Sequence, residues 1–325
     1  MNQSSIFAPA FRVIRDDAAP PPEFQGALVA IGNFDGVHRG HRAVIEAALR
    51  RARANGRPAL ALTFEPHPRS YFRADEPLFR LTDERAKLRL LAAAGLDGAL
   101  VLTFDAALAS LSAEEFIRRI LLERLAISGA AVGFDFHFGR GRQGSPQFLS
   151  EFGAKLGFTV EVAAPLEDEG RPVSSSAIRA ALADGRVVEA AELLGYPWFV
   201  SGTVIRGEAR GRALGFPTAN IRLDPARSLK HGIYAVRVGI GERRYDGVAS
   251  YGRRPTFDNG APLLEPFLFD FSGDLYGQTL DVAFLGWIRP ELRFETAEDL
   301  VRRMDEDARL ARAALARAPD AFPPI

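Results

Sequence analysis

Over residues 26–165 short apolar runs alternate with longer amphipathic ones, and this alternation constrains the fold more than any other feature. "GALVAIG" (26–32), "PALALTF" (58–64), "GALVLTF" (98–104), "GAAVGFDF" (129–136) and "FTVEVAAP" (158–165) have the length and unbroken hydrophobicity of buried strands. Between them lie "HRAVIEAALRRARANG" (41–56), "TDERAKLRLLAAAG" (82–95), "SAEEFIRRILLERLA" (112–126) and "SPQFLSEFGAKLG" (145–157). Their apolar residues recur at helical spacing, with Thr or Ser at several starts and Gly at several ends. Strands separated by helices mean βαβ units and a parallel sheet.

"VSSSAIRAALADGRVVEAAELLG" (173–195) reads as helix, and after it the pattern changes. "WFVSGTVIRG", "GIYAVRVGI", "RRYDGVASYG", "PLLEPFLFDF" and "TLDVAFLGWI" are short apolar segments divided by Gly, Pro and Asp turns, followed by a helical stretch over 295–317. That pattern predicts an antiparallel β-domain, a small barrel, closed by a C-terminal helix. The fold class is α/β, in two domains drawn at 1–184 and 185–325. A chain of 325 residues suits two domains.

Composition then removes function classes. With no cysteine, neither a disulfide framework nor a thiolate metal site is available. A formal net charge of zero argues against a broad nucleic-acid surface. No run approaches the roughly 18 apolar residues of a membrane helix, and the first 26 residues hold no sustained apolar core, so neither a signal peptide nor an anchor is expected. The expectation is a cytoplasmic enzyme with no membrane partner.

The chemistry-bearing motifs begin with "IGNFDGVHRGH" (31–41), which places two of the chain's five histidines, His38 and His41, three residues apart. The motif lies where the first apolar strand passes into the first helix, the place where open parallel sheets bind ligands. Small residues let the backbone approach a ligand, a helix N-terminus offers N–H groups to an anion, and two imidazoles can donate to one phosphate. The plainer readings are a helix cap or half of a metal site, although a lasting zinc site needs three or four ligands. "VSSSAIR" (173–179) brings three hydroxyls and Arg179 to a helix start, which suits a phosphate or an ordinary cap cluster. Asp135 ends a strand before a Gly/Arg loop that also holds His137, Arg140 and Arg142, and His67 is fixed between Pro66 and Pro68. In "GRALGFPTAN" (211–220), Thr218 and Asn220 present a hydroxyl and an amide oxygen two apart, which can serve a hard cation such as Mg²⁺ or simply make a turn. Glu265, in the apolar "LLEPFLFDF", is either an edge-strand gatekeeper or a base.

"GNFDGVHRGH" resembles the His-x-Gly-His nucleotide-binding signature of the bacterial bifunctional riboflavin kinase/FAD synthetase family. "TFEPHP" (63–68), "VGFDFHFGRGRQG" (132–144) and "VSSSAIR" are similar to that family's other adenylyltransferase motifs, in order. "GTVIRGEARGRALGFPTANI" (202–221), "GIYAV" (232–236), "GRRPTF" (252–257), "LLEPFLFDFSGDLYG" (263–277) and "IRPELRF" (288–294) resemble its riboflavin kinase domain, also in order. The resemblance implies a Rossmann-like nucleotidyltransferase domain followed by a kinase barrel. It implies riboflavin, FMN and ATP as substrates, with Mg²⁺ as the cation. By the same resemblance, Gly32, Asn33, Phe34, Asp35 and Gly36 line the nucleotide site with His38 and His41, while His67 and Asp135 belong to the flavin and nucleotide site. Ser174, Ser175, Ser176 and Arg179 grip the triphosphate. Gly207, Gly211, Gly215 and Pro217 form the kinase nucleotide loop, Thr218 and Asn220 hold the cation, and Glu265 takes the proton from the ribityl 5′-hydroxyl.

Departures from the family pattern are specific. Ser176 stands where the family has Thr, Ala177 where it has the first Arg, and Ser250 where many members have Asn. An aminoacyl-tRNA synthetase-like enzyme shares the His-x-Gly-His signature but needs a lysine-rich second signature. The lysines here are only Lys87, Lys155 and Lys230. A P-loop kinase is excluded, because no Gly-x-x-x-x-Gly-Lys occurs. A catalytically decayed flavin/nucleotide-binding module would predict gaps at His38, His41, Asn220 or Glu265, and all four are present.

Overall fold

The computed structural model describes residues 11–16, 18–168, 170–206, 216–224, 226–253 and 262–325. Chain contacts group them into two units. One runs to Leu78 and resumes over Thr82–Ser174; the other holds Phe79–Leu81 and Ser175–Pro324.

The first unit is built on six parallel strands: β1 (Arg12–Arg15), β2 (Leu28–Ile31), β3 (Ala59–Glu65), β4 (Gly98–Thr103), β5 (Gly129–Gly133) and β6 (Thr159–Ala163). Their order is β1-β4-β3-β2-β5-β6. β2, β3 and β4 step outward in one direction, and β5 then returns to the other side of β2, so the order reverses between β2 and β5. That reversal opens a crevice at the strand C-termini. All four residues of β2 are buried, as expected of a strand covered on both faces. The covering helices are α1 (Arg39–Ala54), α2 (Pro68–Phe72), α3 (Glu84–Ala93), α4 (Ala106–Ser110), α5 (Ala113–Glu115, continued by π-helical turns to Arg124) and α6 (Pro146–Leu156). Ile31, Leu62, Leu102, Ile117, Val132 and Leu149 belong to their common core.

The second unit begins with α7 (Ser175–Ala183) and α8 (Val187–Leu194). The single helix expected over 173–195 is therefore two, broken where Gly185 takes φ +78°. The division between units falls at Ser174/Ser175 because α7 bonds to elements of the second unit: the Leu182 carbonyl accepts from Lys230 N at 3.1 Å. Residues 79–81 join the same unit because Trp198 donates its indole N–H to the Leu81 carbonyl at 2.9 Å.

β9 (Phe199–Ile205), β10 (Asn220–Arg222), β11 (Gly232–Ile240), β12 (Arg243–Arg253), β13 (Pro262–Leu268) and β14 (Thr279–Arg289) close into a barrel of order β10-β13-β12-β11-β14-β9; earlier in the chain, within the first unit, β7 (Glu167–Asp168) and β8 (Arg171–Pro172) form a short hairpin. Ile221, Tyr234, Tyr251 and Leu264 are fully buried and mark the inward-facing positions of their strands. α9 (Ala297–Arg317) lies on the outer face, where Ala311 and Leu315 pack with Ala235, Val248 and Phe269. Arg289 at the end of β14 forks onto Asp307 of α9, with Nε at 2.8 Å from Oδ1 and Nη2 at 2.5 Å from Oδ2. The parallel sheet, the antiparallel barrel and the C-terminal helix match the sequence expectation.

Candidate functional site

In the first unit the loop Gly32–His38 leaves β2 at the reversal point. His38 is the N-cap of α1, and its Nδ1 accepts from His41 N at 3.3 Å. That bond leaves Nε2 as the proton-bearing nitrogen of a neutral His38 ring. The His38 and His41 rings stack with centroids 3.6 Å apart and planes 19° apart. Gly40 permits this, since a Cβ there would stand 3.1 Å from the His38 ring and 3.4 Å from the Val173 carbonyl. Phe34 and Val37 adopt φ of +51° and +37°, which is costly for bulky residues and most of all for a β-branched one.

The strained loop is tied down from beneath. The Asp35 carboxylate, 2% exposed, accepts from Thr82 N at 3.1 Å, and the Thr82 hydroxyl accepts from Gly36 N at 3.1 Å. Thr82 was expected to cap the following helix. Asp83 is the cap instead, accepting from Ala86 N at 2.7 Å, so Thr82 serves the loop. Asn33 enters the same web through its carbonyl, which accepts from the Thr63 hydroxyl at 3.1 Å. Asp35 is thus engaged in holding the backbone that presents the histidines.

Other expected residues gather at neighbouring strand ends. His67 follows β3 and caps α2, its Nδ1 accepting from Arg69 N at 3.1 Å. Asp135 follows β5 and is exposed, in a turn closed by Phe136 N to Gly133 O at 3.1 Å. Ser174 ends the Thr82–Ser174 stretch of this unit, whereas Ser175, Ser176 and Arg179 lie on α7 in the other. There the Arg179 Nε donates to the Phe79 carbonyl at 2.5 Å.

In the barrel, β10 pairs with β13 in the register Ile221–Leu264, and Ala219 N donates to Pro266 O at 2.9 Å. Asn220 therefore stands opposite Glu265. On the other side of β13, Ser250 pairs directly with Glu265. The row Asn220–Glu265–Ser250 lies on the face opposite to buried Ile221, Leu264 and Tyr251, and so looks out of the barrel. Thr218, half-buried, precedes Asn220 by two residues, and Pro217 is exposed. Gly207, Gly211 and Gly215 lie outside the described residues, as does 254–257 of the "GRRPTF" segment.

The structure adds one acid that the sequence reading left within a motif. Glu291 is seated on Gly252, where any Cβ would collide with its carboxylate, and His231 Nδ1 is 3.8 Å from its Oε2. Burial pushes its carboxyl above the ordinary range; the charge of Glu265 adds to the shift, while His231 and Arg289 oppose it. Among the described residues no group of three or more His, Asp or Glu gathers as a metal site.

Comparison with known proteins bears on both units. Residues 21–177 match the family model for FAD synthetase, and residues 194–315 match that for riboflavin kinase. The bifunctional riboflavin kinase/FMN adenylyltransferase of Escherichia coli K12 is 41% identical over 289 residues, covering 89% of this chain and 92% of that protein. The Pseudomonas fluorescens protein of the same name is 42% identical over 293 residues, covering 90% and 94%. A crystal structure titled as a macrolide-efflux protein from Streptococcus pneumoniae is 32% identical, covers 92% of this chain and 98% of its own, and superposes with a TM-score of 0.82. Among the described residues of the present chain, no helix is long and apolar enough to cross a membrane.

Proposed function

The chain belongs to the bifunctional riboflavin kinase/FMN adenylyltransferase family, and from that premise we propose that it makes FAD in two steps. It phosphorylates riboflavin with ATP, giving FMN and ADP. It then transfers AMP from a second ATP to FMN, giving FAD and pyrophosphate. We assign adenylyl transfer to residues 1–184 and phosphorylation to 185–325, in keeping with the matches to 21–177 and 194–315.

In adenylyl transfer a phosphate oxygen of FMN attacks the α-phosphorus of ATP, and pyrophosphate departs. No side chain needs to become covalently attached, so the work is positioning and charge stabilisation. His38 and His41 donate imidazole N–H groups to the phosphate oxygens on which charge develops. Gly32, Asn33, Phe34, Asp35 and Gly36 form the loop that brings them there. Ser174, Ser175, Ser176 and Arg179 contact the triphosphate, and His67 and Asp135 contact flavin or nucleotide. The observation that carries this half is the stacked histidine pair at the start of α1, on the loop that leaves β2 where the sheet order reverses.

In phosphorylation Glu265 accepts the proton of the ribityl 5′-hydroxyl as that oxygen attacks the γ-phosphorus, and ADP leaves. Asn220, opposite Glu265, and Thr218 offer hard oxygen donors that fit Mg²⁺ beside ATP, with Gly207, Gly211, Gly215 and Pro217 around the nucleotide. When bound, the ion shields phosphate charge. The alignment of Asn220 with Glu265 supports this half, because it sets a base beside a phosphate-side ligand. Both steps consume ATP, which supports a cytoplasmic setting. The direct test is to incubate the purified chain with riboflavin, ATP and Mg²⁺: FMN should appear first and FAD after it, and absence of both would refute the assignment.

A further inference from the structure

Lys87, on α3, is 1% exposed although its side chain ends in an ionisable amine. It occupies the apolar stripe of its helix, where Leu90 and Leu91 follow at helical spacing and are themselves buried. Its Nζ is 2.6 Å from Glu65 Oε1, 3.1 Å from the Thr63 hydroxyl and 3.3 Å from the Phe64 carbonyl. An ammonium has three N–H donors, and three acceptors surround this one.

All three acceptors lie at the C-terminal end of β3, with only Pro66 between Glu65 and His67. The Thr63 hydroxyl, which accepts from Lys87, in turn donates a hydrogen bond to the Asn33 carbonyl at 3.1 Å. One side chain therefore joins the loop after β2 to the strand end after which His67 emerges. Just before α3, Thr82 holds Asp35 and Gly36 of the same loop. The segment that begins at Thr82 and continues as α3 thus reaches this loop twice, directly at Asp35 and Gly36 through Thr82, and at Asn33 by way of Thr63. Glu65 pairs with Lys87 at 2.6 Å, so the amine is turned to a carboxylate of the β3 strand end rather than held free for an incoming phosphate. The contacts of the side chain are all to β3, which points to a geometric effect.

We propose that Lys87 is a positioning residue for adenylyl transfer: through Thr63 and Glu65 it fixes the spacing between the Asn33–His38 loop and the Glu65–His67 strand end. The proposal rests on the reading of that loop as the ATP-phosphate site. Misplacing a phosphate-holding group by about 1 Å costs on the order of 10²-fold in rate. A charge kept only for packing would carry no such penalty once it is replaced cleanly.

Two variants separate these cases. Thr63→Val is nearly isosteric; it cuts the relay to Asn33 and leaves the Lys87–Glu65 pair in place. Lys87→Met/Glu65→Met removes both charges together, so that neither is left buried and unpaired. For each, FAD formation from supplied FMN is followed with ATP varied, and riboflavin phosphorylation by the same preparation reports that the protein is intact. Thr63→Val should lower kcat for FAD formation at least about tenfold, with kinase kcat within about twofold of the parent, and the double methionine variant should do the same at a parental melting temperature. Parental kcat and KM for ATP in Thr63→Val would overturn the proposal. Failure of the parent chain to form FAD would instead overturn the reading it rests on.

Discussion

Glu265 and Asn220 stand opposite one another on paired antiparallel strands, facing out of the barrel, with Ser250 on the other side of Glu265. Because β13 is paired on both sides in the closed barrel, Glu265 has no sheet edge to guard, and a residue that merely kept this outward position polar could be exchanged without chemical consequence. A base could not. Glu265→Gln keeps the shape and removes the basicity, so riboflavin should still bind while FMN formation falls by about 10²–10⁴-fold. FAD formation from supplied FMN should persist. Riboflavin phosphorylation near the parental rate would reduce Glu265 to a polar residue on the outer face of the barrel.

His38 both caps α1 and stacks on His41, and the two roles can be parted. Asn is among the best N-caps, so His38→Asn should retain most of the helix stability that His38→Ala would lose, about 1 kcal/mol. If the imidazole serves phosphate, both variants should lose about 10²–10³-fold in FAD formation, with melting temperatures that differ from one another. An Asn variant with full FAD activity would reduce His38 to a cap.

Arg289 and Asp307 form the buried pair that fastens α9 to the end of β14, with 8% and 3% of their surfaces exposed. Asp307→Ala would leave a buried guanidinium without its main partner, at a cost of about 3–5 kcal/mol. Arg289→Met/Asp307→Leu should recover most of that loss. Urea unfolding read through the barrel tryptophans, Trp198 and Trp287, measures both; a small loss in Asp307→Ala would contradict the account.

Glu291 gives a pH dependence with a definite sign. Burial raises its carboxyl above the ordinary range, so the folded chain binds this proton more tightly than the unfolded one. Its contribution therefore favours the fold below the unfolded value, about pH 4, and fades as pH rises through the raised folded value. Glu291→Gln, fixed in the neutral state, should gain stability relative to the parent as pH climbs from about 4 to 7. Denaturation midpoints at several pH values test this, and a difference that stays constant with pH would refute it.

Much of this was legible in the sequence. Residues 232–240 form β11 with the expected ends, and β2, β3 and β4 match their apolar runs within two residues, because hydrophobic period and length dominate such segments. β1 and β10 escaped notice: four residues and three residues carry no period, and each exists only through its pairing partners. The break at Gly185 was masked by apolar residues that continue on both sides of it. Lys87 left a readable trace, a charge on an apolar stripe, but its partners on β3 are distant in sequence. Glu291 left none, since its seat on Gly252 is wholly tertiary.

The central claim is that one chain carries out the two steps at two different sites, and complementation measures it most directly. A His38→Ala/His41→Ala variant and a Glu265→Gln variant are each given riboflavin, ATP and Mg²⁺, alone and mixed. The first alone should stop at FMN and the second alone should leave riboflavin untouched. The mixture should form FAD after a lag in which FMN accumulates. A mixture that forms no FAD, although each protein is folded, would contradict the account.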